Sequence, residues 1–324
     1  MLKLNKIRVI LVKKIPTLIV CVTILSITLF FQNKITDFFI SMFDMKYDVQ
    51  YEVNQVESFE YVAKVNDFTP YSKKDIQNIF YTLVSTGREY FTFYCPSEYE
   101  NCVTDVTDFS QNQELLTHIN NYIHPFYSFS EIKTTVYESG SVQMQVYFLY
   151  SESMITRINQ YLDAFIEEHK LLEKTDRDKI RYVHDYIINN AKYDVERNET
   201  KDSPYQSYLA IGALFEGYAT CNGYTDAMSM FLYRFGIKNY KIATDMMNQE
   251  LEIGHVWNAV YLDNKWLHLD LTWDDPVTNT GEDVLQHKYF LITDEELVKL
   301  DNQDIKILEH IYPKHIYLEF KKTV

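Results

Sequence analysis

Residues 254–276 read GHVWNAVYLDNKWLHLDLTWDDP. Apolar and polar residues alternate on both sides of Asp263-Asn264, the pattern of two half-buried strands joined by a two-residue turn. If Leu262 faces Lys265, His255 falls opposite Thr272 and Trp257 opposite Asp270. His255 and Asp270 then project from one face, a diagonal step apart, within reach of long side chains. A four-residue loop would instead set them directly opposite, again on one face. Trp257, Ala259, Tyr261, Trp266 and His268 share that face. Val256, Val260, Leu262, Leu267, Leu269 and Leu271 make the other, an aliphatic surface expected to be buried. A carboxylate beside an imidazole fixes its tautomer and leaves the second ring nitrogen for another group. His268 is the rival base, but it points parallel to Asp270 on the same strand, a poorer geometry for an orienting hydrogen bond.

Upstream, residues 217–236 read GYATCNGYTDAMSMFLYRFG. Ala227, Met228, Phe231, Leu232 and Phe235 recur at helical spacing, and Gly236 is placed to end the helix. Cys221 then opens it. Gly217 and Gly223 bracket the cysteine and permit a tight turn and close backbone approach. A thiol at a helix N-terminus meets exposed N–H groups and the positive end of the dipole, which favour thiolate. The same N–H groups can receive an oxyanion. Read alone, Cys221 is more simply a small buried core residue, and only the 254–276 segment tips the balance. A zinc site built from Cys221, His255, His268 and Asp270 is the other arrangement of these groups, but no C-x-x-C or H-x-x-x-H spacing accompanies them.

Taken together, Cys221-Asn222-Gly223-Tyr224, His255-Val256-Trp257-Asn258 and Asp270-Leu271-Thr272-Trp273 resemble the bacterial transglutaminase-like superfamily of papain-like cysteine enzymes. The match runs from about Thr175 to Pro276. The resemblance implies an α+β papain-like/transglutaminase-like core, a Cys-bearing helix packed on an antiparallel sheet. It implies Cys221 as nucleophile, His255 as base and acid, and Asp270 as the orienting carboxylate. It also implies an upstream aromatic near the oxyanion, for which Tyr193 is the candidate. Thr220 departs from the family's usual aliphatic residue before the cysteine. The expected chemistry is acyl transfer on protein or peptide amides, as transglutaminase, protease or deamidase, with no cofactor or metal required. A non-catalytic peptide- or glycan-binding module is the alternative.

The rest of the chain divides around this core. Residues 1–14 are a basic tip. Ile15–Phe31 is an uncharged run of 17 residues, about 26 Å as a helix and close to a bilayer's hydrocarbon core. With Lys14 and Lys34 snorkelling, 15–34 reads as a transmembrane anchor. The basic lead predicts a cytoplasmic N-terminus, and no small-x-small cleavage site follows. The bulk is thus expected outside the cytoplasm. Six of the 31 basic residues precede position 35 without an acidic one, so the other 25 share the body with all 46 acidic residues. Such a charge repels nucleic acid.

Residues 45–150 read as a small α+β domain. YDVQYEV (47–53) alternates like a strand. A helix starts at Ser72 and runs to about Thr86, a second covers 112–124 before Pro125, and a hairpin turns at Ser139-Gly140-Ser141. His118 and His124 read as surface or cap residues. Cys95 and Cys102 close a short loop and, in an exported chain, are expected to form a disulfide. Residues 151–174 read as a helical linker. The catalytic domain follows at 175–324, opened by a helix capped at Thr175, with His184 beside its apolar face as a structural residue.

Overall fold

The structure, a computed structural model, describes residues 68–200, 202–243, 254–276 and 284–301. The expected anchor at 15–34 and the strand at 47–53 lie outside them. Among the described residues no helix is long and apolar enough to cross a membrane.

Helix α1 (Lys73–Ser85) starts where Ser72 Oγ accepts from the Asp75 backbone N–H, satisfying a donor the first turn cannot pair. Strand β1 (Tyr90–Tyr94), helices α2 (Cys102–Gln111) and α3 (Gln113–Tyr122), and strands β2 (Phe129–Val136) and β3 (Ser141–Phe148) complete the N-terminal half. Its antiparallel sheet has the order β1-β3-β2. The β2–β3 hairpin and the helix before Pro125 match the sequence reading; α2 and β1 were not anticipated. A disulfide joins Cys95 to Cys102, with Cα atoms 5.6 Å apart.

Helix α4 (Glu152–Glu168) and helix α5 (Asp176–Asn190) follow. Thr175 caps α5 through the Asp178 N–H, as its spacing implied. Short strands β4 (Lys192–Tyr193) and β5 (Tyr218–Ala219) pair in parallel on either side of α6 (Val195–Thr200). Then come α7 (Cys221–Arg234) and the antiparallel sheet of β6 (Asn239–Ala243), β7 (Val256–Leu262), β8 (Lys265–Leu269) and β9 (Phe290–Ile292), in sequential order. Helix α8 (Asp294–Asp301) closes the described chain. This is a mixed helix-and-strand fold, with the Cys-bearing helix laid on the sheet.

The hairpin register is the one read from sequence: Leu262 pairs with Lys265, Tyr261 with Trp266 and Ala259 with His268. Asp263 and Asn264 both have positive φ, as a two-residue turn of primed type demands. The sheet is covered on both sides. Val260, Leu262, Leu267, Leu269 and Leu271 join a core with α4, α5 and α7, to which the helix read as a linker contributes Ile158, Leu162, Phe165 and Ile166. The opposite face carries Tyr240, Ile242, Trp257 and Ala259 into a second core with Ile79, Phe80, Tyr122 and Ile123 of the N-terminal half. The N-terminal half therefore supplies the roof of the very face on which the His255–Asp270 pair was expected. Burying a side chain of this size contributes about 1.5–3 kcal/mol.

Candidate active site

Glycine brings the cysteine into place. A Cβ at Gly223 would lie 2.3 Å from the Ser207 carbonyl oxygen, and one at Gly212 would lie 2.4 Å from that of Tyr218. The 205–212 loop can therefore rest directly on the first turn of α7 and on β5. Thr220 N–H donates to Ser207 O, and Asn222 Nδ2 donates to Tyr208 O, across the same seam. Cys221, the first residue of α7, is left partly exposed and is the sole free cysteine among the described residues.

Two contacts lock α7 to β7. Thr225 Oγ1 donates to the Val256 carbonyl, and Asn258 Nδ2 donates to the Thr225 carbonyl. Thr225 is one turn beyond Cys221, and Val256 follows His255, so these bonds fix the separation between thiol and imidazole. His255 lies 2.6 Å from Asp270 through Nε2 and Oδ2. Cys221 also hydrogen-bonds to His255. Asp270 Oδ1 accepts from the Trp273 N–H, so both carboxylate oxygens are engaged. The pairing of β7 with β8 ends at Asn258 and Leu269. Beyond that point the chain turns, and Asp270 N–H donates to Tyr289 O.

The imidazole is buried and lies parallel to two indoles, 4.9 Å from the Trp273 ring and 5.6 Å from that of Trp257. Burial by itself would lower its pKa. The Asp270 charge and hydrogen bond, followed by Cys221, outweigh that and raise it to about 10. At neutral pH His255 is therefore an imidazolium held against a carboxylate. His268 is occupied elsewhere. Its Nδ1 accepts from Trp257 Nε1, and its Nε2 lies 3.2 Å from Asp294. The structure thus brings Cys221, His255 and Asp270 together and sends His268 to support the indole that stacks on His255. The four-residue zinc arrangement does not form.

Tyr193 ends β4 and pairs with Ala219 of β5, two residues before Cys221. Burial, then the Cys221 and Asp194 charges, push its phenol up to about 12. Tyr208, exposed on the 205–212 loop, also feels the Cys221 charge. It escaped the sequence reading, because the contact depends on how that loop folds back.

The helix that Cys221 opens also carries a buried ion pair that periodicity did not reveal. Lys241 Nζ sits 3.2 Å from Asp226 Oδ1 and donates to Ser128 Oγ at 2.9 Å. Tyr150 O–H donates to Asp226 Oδ2, and Asn222 reaches the same oxygen. The clue was Asp226, the sole acidic residue of α7. Burial raises its pKa, with Lys241 and Tyr150 opposing. Through this network the N-terminal half grips the first two turns of α7.

Residues 164–271 match the model of the Transglutaminase-like superfamily. The kyphoscoliosis peptidase of Mus musculus is 23% identical over 180 residues, covering 52% of this chain and 26% of that protein. Its Homo sapiens counterpart is 24% identical over 128 residues, covering 37% and 19%. The chain thus spans only about a quarter, or less, of the length of these curated relatives. Among solved structures, a TGase is 16% identical, covering 49% of this chain and 47% of its own, with a TM-score of 0.31. The periplasmic domain of TgpA from Pseudomonas aeruginosa is 16% identical, covering 41% and 55%, with a TM-score of 0.27. The segment that holds Cys221, His255 and Asp270 is a transglutaminase-like superfamily domain.

Proposed function

We propose that this chain catalyses thiol-dependent acyl transfer on protein or peptide amides through Cys221, His255 and Asp270. The observation that carries the reading is a partly exposed thiol at the start of α7, hydrogen-bonded to an imidazole that Asp270 holds at 2.6 Å. A core cysteine has no use for that arrangement, and neither does a binding cleft.

The sulfur of Cys221 attacks the amide carbonyl carbon, and the carbonyl electron pair moves onto oxygen. Backbone N–H groups of the first turn of α7 stand where that charge develops, and the Tyr193 hydroxyl is a second donor. Collapse of the intermediate breaks the C–N bond as His255 delivers a proton to the departing amine. A thioester remains. An amine acceptor then yields a cross-link, and water yields a hydrolysed product, with His255 taking the incoming nucleophile's proton. Asp270 stays ionised and keeps the ring aligned throughout. The substrates are proteins or peptides, at the cell surface if residues 15–34 anchor the chain with its bulk extracytoplasmic.

Labelling by a thiol-directed electrophile tests this. Iodoacetamide is expected to modify wild type at Cys221 near neutral pH far faster than it modifies a free cysteine in a peptide. Cys221→Ser is expected to lose the labelling and keep the fold by circular dichroism. A wild-type rate no faster than the peptide's would remove the enzyme reading.

A further inference from the structure

A second cluster of titratable groups lies outside the proposed catalytic trio. His184 on α5 is fully buried, and each of its ring nitrogens faces a carboxylate. Nδ1 is 2.8 Å from Asp185 Oδ1, and Nε2 is 3.1 Å from Oδ2 of Asp274, itself fully buried. A neutral imidazole carries one N–H. Whichever nitrogen bears it, the other turns a lone pair on a carboxylate oxygen inside the core, a geometry that suits a cation between ring and carboxylate. His287 favours a metal ion. Its Nε2 reaches the same Asp185 Oδ1 at 2.6 Å, so two imidazole nitrogens from segments 103 positions apart in sequence converge on one carboxylate oxygen. The three ligand atoms lie within 4.8 Å of one another.

We propose that His184 Nδ1, Asp185 Oδ1 and His287 Nε2 form a binding site for a divalent transition-metal ion of the zinc type. Two nitrogens, one carboxylate oxygen and a solvent molecule make a suitable tetrahedral set. At metal–ligand distances of about 2.0–2.2 Å, neighbouring ligand atoms stand about 3.3 Å apart. The present separations from Asp185 reach that spacing with shifts under about 1 Å. Asp274 supplies the supporting partner that a metal-bound histidine needs, accepting the proton of His184 Nε2. Its backbone and side chain also hold the second segment, because Gln286 N–H donates to Asp274 O and Tyr289 N–H to Asp274 Oδ1. The ion would clamp α5 to the 286–290 stretch next to Asp270, whose N–H donates to Tyr289 O.

One group opposes the metal. Arg181 places Nε 3.0 Å from Asp185 Oδ2 and NH2 3.1 Å from His287 Nδ1. In the metal-free arrangement His287 therefore keeps its proton on Nε2, donated to Asp185. A bound metal takes its lone pairs from His184 Nδ1 and His287 Nε2, which leaves the ring protons on His184 Nε2, facing Asp274, and on His287 Nδ1. Arg181, 46% exposed, must swing aside. It thus acts as a built-in competitor for the site.

The test uses the untagged full-length chain bearing Cys221→Ser, so that the active-site thiol cannot bind metal, dialysed against a chelator. Zinc titrated by calorimetry is expected to bind one ion per chain and raise the melting temperature. Cobalt in its place is expected to give the visible absorption of a tetrahedral centre. His287→Gln should weaken binding by at least about 100-fold and Asp274→Asn by about 10-fold, the scale of a lost ligand and of a lost supporting bond. Arg181→Gln should tighten it. Absence of zinc uptake in both the parent and Arg181→Gln would overturn the site. So would uptake that His287→Gln leaves unchanged, or that His255→Gln abolishes. Because the parent already lacks the thiol, none of these outcomes depends on the acyl-transfer reading.

Discussion

His255 and His268 occupy the two strands of one hairpin, both buried and both facing an aspartate. They differ in what meets the second nitrogen. His255 meets a partly exposed thiol, and its carboxylate is sealed from solvent. His268 meets an indole N–H, and Asp294 is a third exposed. A histidine–aspartate pair by itself is thus no sign of chemistry. The pair proposed to react is the one whose second nitrogen is offered to a thiol and whose acid is dry enough to hold the ring charged.

The largest expected effect breaks that difference outright. His255→Ala should slow modification of Cys221 near neutral pH by about 100-fold or more, the lower range for loss of a positioned base. His268→Ala should slow it by less than about threefold, since it reaches neither reacting atom. The reverse ranking, measured as second-order rates, would reassign the base. The carboxylates should separate next. Asp270→Asn leaves a buried imidazole without its anion and should cost about 3–5 kcal/mol in denaturant unfolding. Asp294→Asn, at the surface, should cost about 0–1 kcal/mol. A smaller effect sharpens the role of the shared indole. Trp257→Phe keeps a ring parallel to His255 but strips His268 of its donor. A loss of about 1 kcal/mol is expected with labelling nearly unchanged, whereas a collapse in rate would show that the indole positions His255.

The gentlest probe is pH. His255 is raised to about 10 in the fold, above an unfolded value near 6.5. The stability it contributes is therefore fully present below about 6.5 and fades as pH climbs toward 10. Melting temperatures of wild type should fall across that window by more than those of Asp270→Asn. Parallel curves would mean that the pair does not titrate as a coupled unit.

Some of this was legible in the chain because it is local. The hairpin register followed from alternation and a two-residue turn, since side chains in a strand point alternately and a slip of one would expose every leucine. The caps at Ser72 and Thr175 followed from side-chain oxygens that can reach unpaired N–H groups. The hairpin put His255 and Asp270 on one face, although their contact is made just beyond its paired part, where the chain turns. Its reading as a surface open on one side did not survive, because alternation shows which residues share a face and not what lies against it.

The sequence by itself thus determined the strands of the two hairpins, the helix that starts at Cys221, and the placing of an imidazole and a carboxylate on one face. Tertiary structure decided the rest. It set the thiol against His255 through Thr225 and Asn258, roofed the sheet with the N-terminal half, paired Lys241 with Asp226, and drew His184, Asp185 and His287 together. Periodicity is written by neighbours a few residues apart. Contacts between distant segments are set by how whole faces pack, and no local pattern records which buried charge will meet which.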